Sequence, residues 1–91
     1  MSPTARTLKW LREAGMNPAV VEKFNHHTKR RIDLYGCIDL VALTPGESGL
    51  LGVQATSGSN HANRADKILD IPAAKQWLEC GNRLWVVSWK K

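Results

Sequence analysis

Two apolar segments joined by a turn predict a β-hairpin in the middle of the chain. The segments span residues 36–43 and 50–56, and the turn between them contains Pro45 and two glycines. Proline and glycine are typical of such turns, and the flanking apolar runs have the length of β-strands. Because side chains alternate between the two faces of a strand, a register with Leu43 opposite Leu50 collects apolar residues on one face. The pairs on that face are Ile38 with Ala55, Leu40 with Val53, and Ala42 with Leu51.

The opposite face of the same hairpin carries polar side chains. The register places the carboxylate of Asp39 directly opposite the carboxamide of Gln54, with Thr56 one step further along. Directly opposed residues have Cβ atoms roughly 4.5–5.5 Å apart. Two oxygens at that separation can share a hard divalent cation such as Mg²⁺. A buried carboxylate is costly without a partner, which favours a functional role for Asp39.

The segment before the hairpin predicts a helix, a strand and a loop. A helix is expected over 3–14, capped by Ser2 and begun by Pro3. The β-rich residues 19–24 predict a strand, and the polar and basic residues 25–35 predict a loop.

The second half of the chain predicts two helices and a final strand. Ser59 or Asn60 can cap a helix that runs to Leu69, a further helix is expected over 72–80, and residues 83–89 are β-rich. The predicted order of elements is therefore α-β-β-β-α-α-β. This order indicates an α/β domain in which one sheet packs on helices.

The charge of the chain favours a polyanionic partner. The 91 residues suit one domain over 1–91 with one modest core, and 13 Lys and Arg against 8 Asp and Glu give a net charge of +5. Small basic domains commonly bind nucleic acid. The alternative is that the net positive charge only increases solubility.

Several classes of protein are disfavoured by the sequence. No apolar run approaches the about 18 residues of a membrane span, and the N-terminus lacks the apolar segment of a secretory signal. Cys37 and Cys80 do not make a disulfide framework, which favours a cytoplasmic protein. The chain has no glycine-rich phosphate loop. We therefore expect neither a membrane partner nor a small-molecule cofactor.

The order of elements and two motifs resemble those of the PD-(D/E)XK nuclease superfamily. The motifs are an acid in the second strand, Asp39, and a polar triplet in the third strand, residues 54–56. Within the superfamily the chain resembles compact Holliday-junction-resolvase-like and VRR-type nucleases of phages and mobile elements. The resemblance covers almost the whole chain. It implies a restriction-endonuclease-like core with a mixed sheet and flanking helices, and a deoxyribonuclease that uses Mg²⁺ or Mn²⁺.

The same resemblance assigns roles to the hairpin residues. It implies that Asp39 is the principal metal ligand and that Gln54 offers a carbonyl oxygen where the family has an acid. The main-chain carbonyl of Ala55 would supply a further ligand. Gln54 could instead only form a hydrogen bond with Asp39. Thr56 stands where the family has a lysine.

Three further groups are candidates for the catalytic site. A lysine from the second helical region, Lys67 or Lys75, would have to replace the lysine of the motif. Asp33 lies six residues before Asp39, and Glu22 lies in the predicted first strand, so either acid could be the third metal ligand. The alternative for both acids is an ion pair with a neighbouring basic residue.

Basic and small polar side chains mark the expected DNA-binding surface. A cluster of three cations, which ends two residues before Asp33, would hold DNA phosphates next to the metal. Backbone amides ahead of the second helix could hold a further phosphate, or could serve only as a cap and turn. The candidate DNA-binding residues are Lys29, Arg30, Arg31, Ser57, Asn60 and Arg64.

The last predicted strand is a candidate surface for contact with a second copy of the chain. Trp85, Val87 and Trp89 alternate along it and share one face. If Trp89 is exposed, this face is expected to form a homodimer surface.

Three functions stay open at the level of sequence. The first is a metal-dependent DNA endonuclease acting on duplex, branched or nicked DNA. The second is a nuclease-fold DNA-binding module that lacks catalysis, which the Gln-Ala-Thr triplet favours. The third is a protein-binding accessory subunit, in which the basic charge would be incidental.

Overall fold

The structure, a computed structural model, describes residues 1–90 except for the side chain of Asn60. Its helices are α1 (Pro3–Glu13), α2 (His61–Leu69) and α3 (Pro72–Glu79). Its strands are β1 (Asn17–Val20), β2 (Lys23–Asn25), β3 (Arg30–Ile32), β4 (Leu40–Leu43), β5 (Leu51–Ser57) and β6 (Arg83–Trp89), and a 3₁₀ turn (Gly58–Asn60) follows β5. None of the helices within residues 1–90 combines the length and the apolar character needed to cross a bilayer.

Four of the strands form one mixed sheet in the order β1-β4-β5-β6. The pairs β1–β4 and β4–β5 are antiparallel, and the pair β5–β6 is parallel. A parallel pair needs a crossover connection, which α2 and α3 supply. The predicted α/β class, mixed sheet and three helices are therefore confirmed.

The predicted register of the central hairpin is also confirmed. Leu40 lies opposite Val53 and Ala42 lies opposite Leu51. These four side chains are fully buried, and they pack with Leu11 of α1 into one apolar cluster. The Ser2 side chain caps α1 by accepting a hydrogen bond from the Ala5 amide, as the sequence predicts for the start of this helix.

Ile38 lies on the other face of the sheet, so its predicted pairing with Ala55 is wrong. A tight turn joins Leu34 to Ile38 through two backbone hydrogen bonds of 2.9 and 3.0 Å, with Gly36 at φ 75°. Strand alternation therefore starts only after Ile38, which packs with the cluster that α2 and α3 cover. Gly52 makes room there, because a Cβ on it would lie 3.0 Å from Cδ1 of Ile38 and 3.1 Å from the ring of Trp77.

The predicted strand over 19–24 and the predicted loop over 25–35 are both wrong. The first strand ends at Val20, and β2 and β3 form a separate antiparallel pair. The amides of Val21 and Glu22 both donate to the carbonyl oxygen of Asp39, at 2.9 and 3.3 Å. These bonds bend the chain out of the four-stranded sheet. Residues 23–32, which we call the basic ribbon, thus add two strands to the predicted order.

The face of β6 that was expected to form a homodimer surface is covered by α1. The ring of Trp10 lies 6.3 Å from that of Trp85 and 6.0 Å from that of Trp89. Trp89 also donates from Nε1 to Oγ1 of Thr7 at 2.8 Å and stacks under the guanidinium of Arg6. Because Trp89 is half-buried by these contacts, the condition for this surface is not met. A homodimer stays a prediction without support from this face.

Candidate metal centre and basic ribbon

Asp39 is buried and held by hydrogen bonds directly before β4. Its amide donates to the carbonyl of Val53 at 2.9 Å, and because Val53 is also the partner of Leu40, the regular register ends at Leu40. Its Oδ2 accepts hydrogen bonds from Nε2 of Gln54 at 2.9 Å and from the Ala55 amide at 2.8 Å. Only 3% of Asp39 is exposed. The hairpin therefore holds this carboxylate in one orientation.

Glu22 and Asp33 meet Asp39 at this position. One carboxylate oxygen from each of the three residues lies within 4.8 Å of the others, and we call this set the acidic cluster. Glu22 lies in the bend between β1 and β2, and Asp33 follows β3 directly. The two ends of the basic ribbon and the start of β4 thus converge on one point. The sequence left Glu22 and Asp33 as alternative third ligands, whereas the structure brings both to Asp39.

The close carboxylates make ionisation of Asp39 unfavourable. The pKa of Asp39 is raised from 3.8 to about 7, chiefly because burial removes water from its carboxylate. A hydrogen bond with Asp33 and the charges of Asp33 and Glu22 raise this pKa further, and the Ala55 amide opposes them. Arg31 pairs with Glu22 at 3.2 Å, and within residues 1–90 no ion pair reaches Asp33 or Asp39. Neighbouring cations therefore neutralise only part of the negative charge of the three carboxylates.

The donor set suits a hard divalent cation. Carboxylate, carboxamide and carbonyl oxygens are the ligands that Mg²⁺ and Mn²⁺ prefer. The amide nitrogen of Gln54 is committed to Asp39, which leaves its Oε1 as the atom that could face a cation. The N–H and C=O of one strand residue point to the same edge. The Ala55 carbonyl is therefore expected on the Asp39 side of β5, as its N–H is.

The basic ribbon rises directly from the acidic cluster. Its register pairs Lys23 with Ile32, Phe24 with Arg31, and Asn25 with Arg30. At the tip, Oδ1 of Asn25 accepts from the His27 amide at 2.9 Å, an Asx turn that closes the ribbon. Residues 23–32 contain four Lys and Arg and no acid. The three predicted DNA-binding cations Lys29, Arg30 and Arg31 all lie exposed on this ribbon.

An open groove beside β3 includes one member of the acidic cluster, Asp33. Its volume is about 660 Å³. Its lining residues are Thr28, Arg30, Arg31, Ile32, Asp33 and Gly36. A phosphate backbone lying in this groove would therefore contact two arginine side chains close to Asp33.

Among the described residues, the remaining predicted site residues form no ion pair or hydrogen bond with the acidic cluster. Arg64 and Lys67 are exposed on α2, and within residues 1–90 neither forms an ion pair or hydrogen bond with the three acids. Lys75 is paired with Glu79 on α3 at 3.9 Å. Ser57 is exposed beside a second concavity, whereas the Asn60 side chain lies outside the described part of the chain.

Sequence reasoning missed the ribbon and one histidine contact. The sequence contains one indication of the ribbon, because Asn25 is a strong turn former between two short segments. The two segments are rich in basic residues and therefore do not have the composition typical of strands. His61 Nδ1 lies 2.6 Å from Oγ of Ser88, which is the β6 partner of Thr56. No spacing in the sequence predicts this contact, since it joins residues that the crossover brings together.

Comparison with protein-family models, curated proteins and solved structures gives no match for this chain. The function of the chain is therefore inferred from the residues of the acidic cluster and of the basic ribbon.

Proposed function

We propose that this chain is a metal-dependent DNA endonuclease with a restriction-endonuclease-like core, which hydrolyses phosphodiester bonds with Mg²⁺ or Mn²⁺. The observation that carries the proposal is the acidic cluster of Glu22, Asp33 and Asp39 at the base of the basic ribbon. The helices and the four-stranded sheet follow one another as α-β-β-β-α-α-β, which supports the proposed core.

Electrostatics support a cation in the acidic cluster. Burial is the main reason why the pKa of Asp39 is raised to about 7, and the hydrogen bond with Asp33 and the charges of Asp33 and Glu22 add to it. The three carboxylates, with oxygens within 4.8 Å, repel one another when all are ionised. At neutral pH a proton on Asp39 relieves part of that repulsion. A divalent cation would relieve more of it, and it would displace the proton from Asp39.

The residues around the cluster suit phosphodiester hydrolysis. A bound Mg²⁺ or Mn²⁺ would activate water and neutralise charge on the phosphate. Gln54 and the Ala55 amide hold Asp39 in place. Arg31 orients Glu22, and because its side chain is 66% exposed, its remaining N–H groups can reach a phosphate oxygen.

The charge of the ribbon supports DNA as the substrate. Phosphate contacts from Lys and Arg supply most of the sequence-independent affinity for DNA and fix its position on a protein. Two of the four cations of the ribbon, Arg30 and Arg31, line the groove that also contains Asp33. A strand bound there would bring a phosphate to the acidic cluster.

The direct test is cleavage of labelled supercoiled, linear and four-way-junction DNA with Mg²⁺, with Mn²⁺ and with a chelator. The wild type is compared with Asp39→Asn, which keeps the size of the side chain and one oxygen to accept from Gln54 and Ala55 but removes the charge. We expect metal-dependent cutting that falls by more than about 100-fold in the variant, since loss of even indirect metal contacts costs 10- to 100-fold.

The matched control is Asp66→Asn, an equal change of charge at an exposed position of α2. It should cut as the wild type does. Cutting that persists equally in Asp39→Asn would overturn the proposal, and so would the absence of any cutting by the wild type.

One observation favours a second candidate, a nuclease-fold DNA-binding module without catalysis. Thr56 occupies the position of the motif lysine, and Lys67 is exposed on α2 without a bond to the acids within the described residues. This candidate predicts DNA binding that weakens steeply with salt, together with no cutting under any metal condition.

A further inference from the structure

One face of the basic ribbon forms a continuous track that starts at the acidic cluster. Directly opposed residues of an antiparallel pair share a face, so Phe24 and Arg31 lie on the same side. The 3.2 Å ion pair between Arg31 and Glu22 places the cluster at the lower end of that side. The ring of His26 lies 5.1 Å from the ring of Phe24, edge to face, at the upper end. The face therefore carries the acids at one end, Phe24 and Arg31 side by side, and His26 next to the Phe24 ring.

The aromatic ring on this track is unusually placed for a core residue. Phe24 is 51% exposed, and its neighbours are polar: Lys23 and Asn25 along the strand and Arg31 directly opposite. Proteins that bind single-stranded nucleic acid combine a cationic path for the backbone with aromatic side chains on which bases stack. The exposed ring and the four cations without an acid match both parts of that combination.

The exposed aromatic ring decides which form of DNA the track suits. A paired base in a duplex presents only its edge in a groove, whereas a stacking ring needs the face of a base. A base that stacks on Phe24 must therefore be unpaired.

We propose that Phe24 and His26 form a stacking platform for an unpaired DNA base, one nucleotide away from the phosphate at the acidic cluster. Arg31 holds the phosphate between the two positions. This inference rests on the proposed nuclease function, and it narrows the substrate to DNA with an unpaired nucleotide beside the cleaved bond, such as an overhang, a gap, a flap or a branch.

The test measures binding without cleavage, by fluorescence anisotropy in the presence of a chelator. The probes are one labelled duplex in blunt form, with a short 3′ or 5′ overhang, and with the same overhangs made abasic. We expect the wild type to bind one overhang about tenfold or more tightly than the blunt duplex, a factor within the range measured for one base stacked on an aromatic ring. The abasic overhang should lose that factor.

Three variants isolate the ring from the rest of the ribbon. Phe24→Ala should lose the preference for the overhang and become insensitive to the missing base, whereas Phe24→Trp should keep the preference. Leu43→Ala is the matched control, because Leu43 is 52% exposed and lies at the far end of β4 from Asp39. It should bind all probes as the wild type does.

The outcomes separate this proposal from the nuclease proposal. If Phe24→Ala binds every probe as the wild type does, the platform is wrong. If the variant loses blunt and overhang DNA by the same factor, the platform is wrong as well. The same probes are then given to the wild type with Mg²⁺ or Mn²⁺. A base preference without cutting supports the platform and overturns the nuclease alone.

Discussion

The β4–β5 hairpin and the basic ribbon are both antiparallel pairs that meet at the acidic cluster, yet they are built differently. In the hairpin, Leu40, Ala42, Leu51 and Val53 are fully buried against α1. In the two strands of the ribbon, every residue is exposed apart from Asn25. The core therefore fixes the position of the hairpin, whereas the ribbon is held by its base and its own backbone hydrogen bonds.

The candidate site therefore has one part that the core holds in place and one part with few buried contacts. Asp39 belongs to the hairpin, and Glu22 and Asp33 stand at the two ends of the ribbon. Segments with few buried apolar contacts open at low free energy cost. Binding of a metal that joins the three carboxylates should thus order the ribbon relative to the sheet.

The largest predicted effect is a difference in the free energy of unfolding between alanine variants of two leucines in β4. Leu40→Ala removes a fully buried side chain from the centre of the core and should lower the free energy of unfolding by about 2–5 kcal/mol. Leu43→Ala, at the exposed end of β4, should cost about 0.5 kcal/mol or less. Urea unfolding followed by tryptophan fluorescence measures both. Equal losses would contradict the view that the core, rather than strand pairing, fixes the hairpin.

A large stabilising effect is expected from the substitution Asp39→Asn. Its pKa is raised above the value in the unfolded chain, so the native state binds more protons between about pH 4 and pH 7. Stability should therefore fall as pH rises through this window and level off above it. Asp39→Asn removes this loss and should stabilise the protein at pH 8 by on the order of 2–4 kcal/mol, and by less at pH 5. Urea unfolding of both proteins at the two pH values checks this, and a wild-type stability that does not change with pH would contradict it.

Metal binding should bring the two regions together. With Mg²⁺ or Mn²⁺ at ten to a hundred times its dissociation constant, the free energy of unfolding at pH 8 should rise by about 1–3 kcal/mol. The gain should shrink at pH 5, where Asp39 holds a proton, and vanish in Asp39→Asn. Thermal unfolding with and without metal measures the shift. A shift that survives in Asp39→Asn, or disappears in Asp66→Asn, would place the metal elsewhere.

The smallest effect concerns the charge of the ribbon. Arg30→Gln removes one exposed cation from the ribbon without touching the Arg31–Glu22 ion pair. The slope of log affinity for duplex DNA against log salt should fall in magnitude by about 1. Lys75→Gln, whose lysine is already paired with Glu79 on α3, should leave the slope unchanged. Anisotropy titrations at several salt concentrations provide the comparison, and equal slopes for wild type and Arg30→Gln would remove the ribbon from the DNA interface.

The two regions also differ in how well the sequence predicts them. The hairpin register follows from alternation of apolar and polar residues, because a slip of one residue would bury the wrong face. That register predicts that Asp39 and Gln54 are neighbours. The paired residues of the structure end at Leu40 and Val53, but a hydrogen bond joins the side chains of Asp39 and Gln54 as the prediction requires. The ribbon has no buried face, so no alternation marks its strands. Its residues therefore read as a loop.

The sequence by itself determined the α/β class, the hairpin register and the pairing of Asp39 with Gln54, since each depends on local periodicity and short-range turns. Only the tertiary structure decided that Ile38 turns to the far face and that Glu22 and Asp33 both reach Asp39. It also decided that α1 covers Trp89. These features depend on a bend, a tight turn and helix packing between residues far apart in the chain. Such contacts form because the folded chain buries apolar surface as a whole, and no short segment encodes them.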